Sequence, residues 1–138
     1  MRIDWLWISE YKNLKDLTID FAQGHLITVL IGRNGTGKSN VLEALTVIFR
    51  DLLMGEDGSG KKNVPSFKYR IAYEIDDRWV IIDADSTRRS AYRAKTVSKS
   101  SHPKPYDIET EFENLEGDTI SRAKLLGDTS EYLPKFLF

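Results

Sequence analysis

The chain has 138 residues, 41% apolar and 30% charged, with twenty basic against twenty-one acidic side chains, the balance of one folded soluble domain and not of a disordered one. It contains no cysteine, which excludes a disulfide framework, a thiol nucleophile and a cysteine-ligated zinc. Its two histidines, His25 and His102, stand far apart without ligand-like spacing.

Arg2, Asp4 and Trp5 stand where a signal peptide needs a basic region followed by an apolar core. No run approaches about 18 apolar residues, so the expectation is a cytoplasmic chain with no membrane span. MRIDWLWI and the following SEYKNLKDLTIDF read as two strands around a polar turn. Ile3, Trp5 and Trp7 alternate imperfectly with Arg2, Asp4 and Leu6, whereas Leu17, Ile19 and Phe21 alternate cleanly with Asp16, Thr18 and Asp20. After a turn at Gln23-Gly24, Leu26–Ile31 carries no charge, as a strand covered on both faces requires.

From Lys38 the period changes. Val41, Leu42, Ala44, Leu45, Ile48, Phe49 and Leu52 recur at three and four, predicting a helix from about Lys38 to Met54 that stops at Gly55. No Ser, Thr or Asp cap precedes its glycine-rich start, so its first amides need another acceptor. Residues 55–66 read as a flexible loop. Phe67, Tyr69, Ile71, Tyr73 and Ile75 alternate with Lys68, Arg70, Ala72 and Glu74, and Asp76-Asp77-Arg78 turns this strand into Trp79–Asp83. Ala91–Val97 is a weaker strand. Tyr106, Ile108, Thr110 and Phe112 alternate with acids, and Glu116-Gly117-Asp118 turns into Thr119–Leu126. The apolar end, Tyr132–Phe138, reads as a chain cut inside or just before a buried element.

Charge is segregated along this second half. Residues 87–104 hold Arg88, Arg89, Arg93, Lys95, Lys99 and Lys104 without an acid, and residues 106–118 hold six acids without a base. Two readings follow: strand faces that attract each other across a sheet, or a nucleic-acid contact at the basic segment.

Gly32-Arg33-Asn34-Gly35-Thr36-Gly37-Lys38-Ser39 matches GxxxxGK[ST], the phosphate-binding loop, between an apolar strand and an amphipathic helix. Gly32, Gly35 and Gly37 let the backbone turn tightly and approach phosphate oxygens with no Cβ in the way. Successive amides, including those of Arg33 and Thr36, then form a nest at the helix N-terminus. The missing cap is thereby explained, because bound phosphate is the acceptor. Lys38 is expected to reach the β and γ phosphates, Ser39 to ligate Mg²⁺, and Asn34 to donate toward a bridging or γ oxygen. Gly55, Gly60 and Lys61 repeat the spacing, but Lys62 replaces the hydroxyl and a helix, not a strand, precedes them, so this second copy is rejected.

The run ITVLIGRNGTGKSNVLEAL, with SEYKNLKDLTIDF before it, resembles the N-terminal lobe of ABC-type ATPase heads. Closest in style are the RecF, SMC and Rad50 group, the overcoming-lysogenization-defect nucleases and AAA-labelled ATPases of bacterial anti-phage systems. The residues that carry the resemblance are Tyr11-Lys12-Asn13, the loop itself, and Asn40, Leu42, Glu43 and Ala44; it is specific over 1–54 and architectural over 67–126. It implies an α/β P-loop NTPase fold with an antiparallel β subdomain, incomplete in this chain. The core would hold 1–54, a flexible loop 55–66, the β subdomain 67–126, and a segment leading back into the core 127–138.

It further implies ATP and Mg²⁺ bound between two heads of a homodimer. Asn40 would belong to the nucleotide site, and Lys12 or Asn13 would lie beside the phosphates or base. DNA would be acted on by the full-length protein, in repair, chromosome maintenance or anti-phage defence, with a nuclease fused or supplied by a partner. Departures from the family pattern are equally specific. No Walker B run ending in Asp-Glu occurs; Val80-Ile81-Ile82-Asp83-Ala84-Asp85 comes near but displaces its second acid. No LSGGQ-like signature or suitably placed glutamine is present. The expectation is an ATPase in the full assembly and a fragment that alone binds nucleotide weakly at best and is inactive, against the alternatives of another P-loop protein such as a kinase or GTPase, or a scaffold with structural ATP.

Overall fold

The computed structural model describes residues 2–21, 36–54, 64–98, 111–115 and 117–120. Among these residues six strands form one sheet: β1 (Arg2–Tyr11), β2 (Leu14–Asp20), β3 (Tyr69–Ile75), β4 (Arg78–Ala84), β5 (Tyr92–Ser98) and β6 (Asp118–Ile120). Their order is β2-β1-β3-β4-β5-β6, antiparallel at every pairing. One helix, α1 (Thr36–Met54), packs on one face. The strand expected over His25–Ile31, loop residues Gly32–Gly35, linker residues 55–63, the 106–110 part of the acidic strand, the 121–126 part of the segment expected over Thr119–Leu126, and 127–138 lie outside the described residues.

The imperfect alternation of the opening has a structural cause. Between Ile3 and Trp5 the β1–β3 register shifts, with Ile3 opposite Tyr73 and Trp5 opposite Ala72, so Asp4 is an extra, bulged residue. Past the bulge the faces exchange. Ile3 joins Leu6 and Ile8 on the helix side, while Trp5 and Trp7 turn to the opposite face.

The helix starts at Thr36, two residues before the expected Lys38, and ends at the expected Met54. Val41, Ala44, Val47, Ile48, Phe49 and Leu52 are buried against Leu6, Ile8, Tyr69, Ile71, Tyr73, Val80 and Ile82. The Phe49 ring meets Tyr73 edge-on at 5.7 Å. Leu42, counted in the apolar stripe, is instead exposed. Near the C-terminal end, buried Asp51 accepts hydrogen bonds from the amide and hydroxyl of Ser66 at 3.1 and 2.8 Å, tying the far end of the linker to the helix.

The Asp76-Asp77 turn has positive φ at both residues, the two-residue type that matches strand twist. Arg78 is already in β4, so the hairpin is tighter than the three-residue turn expected. On the face that alternates with the apolar residues of Phe67–Ile75, Arg70 and Ala72 are buried as well. A second apolar cluster of Trp5, Trp7, Ala72, Ile81, Phe112 and Leu115 covers that face. Phe112, expected at a strand end, begins a short 3-10 turn (Phe112–Asn114) that carries its ring into this cluster.

β6 begins right after Gly117, whose φ is +127°. A Cβ there would stand 2.7 Å from Val97 Cγ2 and 2.9 Å from the Thr96 carbonyl oxygen. Gly117→Ala should therefore lower stability by about 2 kcal/mol through strain and displacement of β5. A chemical-denaturation midpoint equal to that of the parent chain would refute this.

Candidate functional site

The helix that continues the GxxxxGKS motif begins inside it, so Thr36, Gly37, Lys38 and Ser39 form the first turn of α1. That turn contains no acid, and the first amides of a helix present the positive end of its dipole. Gly32, Arg33, Asn34 and Gly35 lie outside the described residues.

Beside this turn sits the β1–β2 connection, and the two stretches that carried the family resemblance meet here. Tyr11 Oη donates to Glu43 Oε1 at 2.7 Å. Lys12 Nζ lies 2.7 Å from Glu43 Oε1 and 2.9 Å from Oε2. Asn40 Nδ2 donates to Asn13 Oδ1 at 2.5 Å. The hydrogen bonds from Lys12 and then Tyr11 hold the Glu43 carboxyl below its ordinary range, and the same Glu43 bond raises the Lys12 ammonium. Tyr11 is raised, first by partial burial and then by Glu43. Of the residues predicted for the nucleotide, then, Lys12 is paired with Glu43, and Asn13 with Asn40. Tyr11 and Glu43 had no role in the sequence reading beyond motif membership. Their partnership spans 32 positions and leaves no local signal.

The near-match to a Walker B strand is put to another use. Asp83 is 3% exposed on β4, with Arg70 of β3 and Arg93 of β5 directly opposite it. Its carboxylate lies 3.2 Å from Arg70 Nε, 2.6 Å from Arg88 Nη1 and 3.0 Å from Arg93 Nη2. Burial alone would raise this carboxyl, but the Arg93 hydrogen bond and the charges of Arg70 and Arg88 outweigh it and leave it lowered. An oxygen so engaged is not a free metal ligand. Asp85, the displaced second acid, accepts from the hydroxyl and amide of Thr87 at 2.6 and 2.9 Å. Among the described residues no group of three or more potential ligating side chains clusters as a metal site.

Within the described part of the basic segment, three of the four cations are consumed in the same way. Arg88 also donates to the carbonyls of Asp83, Ser90 and Ala91. Arg93 Nη1 reaches Glu113 at 2.5 Å, which is the attraction between basic and acidic stretches read from sequence. Lys95 is 5% exposed and donates to the carbonyl oxygens of Phe112, Glu113 and Leu115 at 2.8, 3.2 and 2.8 Å. Three of the six cations proposed for nucleic acid are thus structural. Arg89 is exposed, and Lys99 and Lys104 lie outside the described residues.

The sequence pattern of the AAA ATPase domain matches residues 1–134. This chain belongs to that family. The chain is also similar over part of its length to RecF and Smc proteins. "DNA replication and repair protein RecF" of Desulfitobacterium hafniense (strain Y51) is 42% identical over 45 residues, 33% of this chain and 12% of the relative. RecF of Limosilactobacillus fermentum is 44% identical over 48 residues, 35% of this chain and 12% of the relative. "Chromosome partition protein Smc" of Fusobacterium nucleatum is 30% identical over 133 residues, 87% of this chain and 10% of the relative. The chain spans about a tenth of the length of these curated relatives. No solved structure matches it. Among the described residues, no helix is long and apolar enough to cross a membrane.

Proposed function

We propose that this chain is the ATP-binding N-terminal lobe of an ABC-type ATPase head of the RecF, SMC and Rad50 group. The observation that carries the reading is the GxxxxGKS motif running into an acid-free first turn of α1 in an AAA ATPase family member. Such a turn suits an anion: its amides need acceptors, and the dipole and Lys38 favour negative charge. Gly32, Gly35 and Gly37 allow close backbone approach, the amides from Arg33 to Ser39 donate to phosphate oxygens, and Asn34 adds a side-chain donor. Lys38 neutralises the β and γ phosphates, and Ser39 ligates Mg²⁺. Asn40, Lys12 and Asn13 border the same end of the helix. Bound MgATP would supply a transferable phosphoryl group and the charge that joins two heads into a homodimer.

In this reading residues 1–54 belong to the P-loop core, 55–66 to a flexible loop, 67–126 to the antiparallel β lobe, and 127–138 lead back toward the core. With Asp83 and Asp85 committed to arginines and Thr87, this chain binds ATP without turning it over, and the full assembly is the ATPase. Its relatives' names support DNA as the object of the assembly, in repair, maintenance or anti-phage defence, with a nuclease fused or in a partner. Calorimetric titration of MgATP tests the core of the proposal. The chain should bind, and Lys38→Ala should weaken binding at least about tenfold, because a charge-assisted contact is lost. Equal affinity in both proteins would sink the assignment, and a preference for GTP would move it to another P-loop class.

A further inference from the structure

The three consecutive residues Tyr11, Lys12 and Asn13 all hold α1, and they do so through two residues on one helical face, Asn40 and Glu43. An isolated exposed ion pair of this kind does little. Here one end is anchored: Asn40 is 8% exposed, and its bond to Asn13 fixes the turn against the helix. Lys12 has φ +52° at the first position of a two-residue hairpin turn, where glycine is favoured. A lysine held in that conformation, with its ammonium on Glu43, indicates a turn specified by its contacts with the helix more than by its own backbone preference.

Asn40 directly follows Ser39, and Glu43 lies one helical turn beyond it. A clasp there sets the height and rotation of the turn containing Lys38 and Ser39, and donor placement to a fraction of an ångström governs how well a phosphate is held. We propose that Glu43 and Asn40 are positioning residues that pre-order the phosphate-binding end of α1 through the β1–β2 turn. This rests on the nucleotide-binding reading above.

The test combines hydrogen exchange with MgATP titration on the chain, Glu43→Gln, Tyr11→Phe and the double variant. Exchange is followed at the amides of Asn40 to Glu43, which close the first turn, with the β3–β4 hairpin as internal reference. In Glu43→Gln those amides should exchange about three- to fivefold faster while β3–β4 is unchanged, and MgATP affinity should fall by a similar factor. Tyr11→Phe should weaken binding alone but add nothing to Glu43→Gln, since both act through one carboxylate. Unchanged exchange in the first turn overturns the proposal. So does faster exchange with unaltered affinity, which reduces the clasp to local stability. If the unsubstituted chain binds no MgATP although its first turn responds to Glu43→Gln, the nucleotide reading fails and the positioning role goes with it. That outcome is distinct from a clasp that never existed.

Discussion

Asp83→Asn should lower the stability of the chain by about 3 kcal/mol, read as a shift in denaturation midpoint at constant slope. The substitution leaves three guanidiniums facing one another around a neutral amide. Breaking a buried pair by removing one partner costs about 3–5 kcal/mol; the lower end applies because Arg88 and Arg93 reach solvent at their outer edges. The effect carries a pH signature. The folded carboxyl is held below its unfolded value, so its contribution is complete above the unfolded aspartate range of about 3.9 and is lost as pH falls through the folded value. Parent and Asp83→Asn should therefore begin to draw together in stability as pH falls below about 4, and meet only below the folded value. A constant gap down to pH 2 would show that the loss comes from packing, not charge.

Lys95→Met should have a comparable effect, about 3 kcal/mol, by a different route. The ammonium has three protons and three carbonyl acceptors, on Phe112, Glu113 and Leu115. Methionine fills a similar volume but removes the donor from all three oxygens. The Phe112 carbonyl keeps the Leu115 amide at 3.1 Å, so the loss falls mainly on the Leu115 and Glu113 carbonyls, at about 1–3 kcal/mol for each group left unsatisfied. The 3-10 turn should loosen first, taking Phe112 away from Trp5 and Trp7. Tryptophan fluorescence should then move to the red before the main unfolding transition. A single transition at the parent midpoint would contradict this account.

These two clusters mark the limit of what a linear reading of the chain detects. The strands were legible where one periodicity ran undisturbed, as over Tyr69–Ile75, because alternation is a local property. It did not reveal that both faces are covered. Arg70 in an alternating strand reads as an outward side chain until Asp83, thirteen positions away, is placed opposite it. The basic run suggested a surface because charge is counted along the chain, whereas its neutralisation runs across strands. Asp4 shows the reverse problem: one bulged residue scrambles a regular pattern that the flanking residues still obey. In the candidate site, the GxxxxGKS spacing was legible because phosphate recognition by backbone amides is confined to one short segment. Glu43 and Tyr11 were not, because the contact between them joins a hairpin turn to a helix.

The link that Ser66 makes by donating to Asp51 has a corollary for chain length. It fixes both ends of the segment between them, 15 positions apart, so β3 enters the sheet at the same place whatever the chain does in between. Closing a longer loop adds only about 0.6 kcal/mol for each doubling of its length. A short insertion between these two anchors should therefore cost little stability, and a denaturation midpoint close to that of the parent chain would show it.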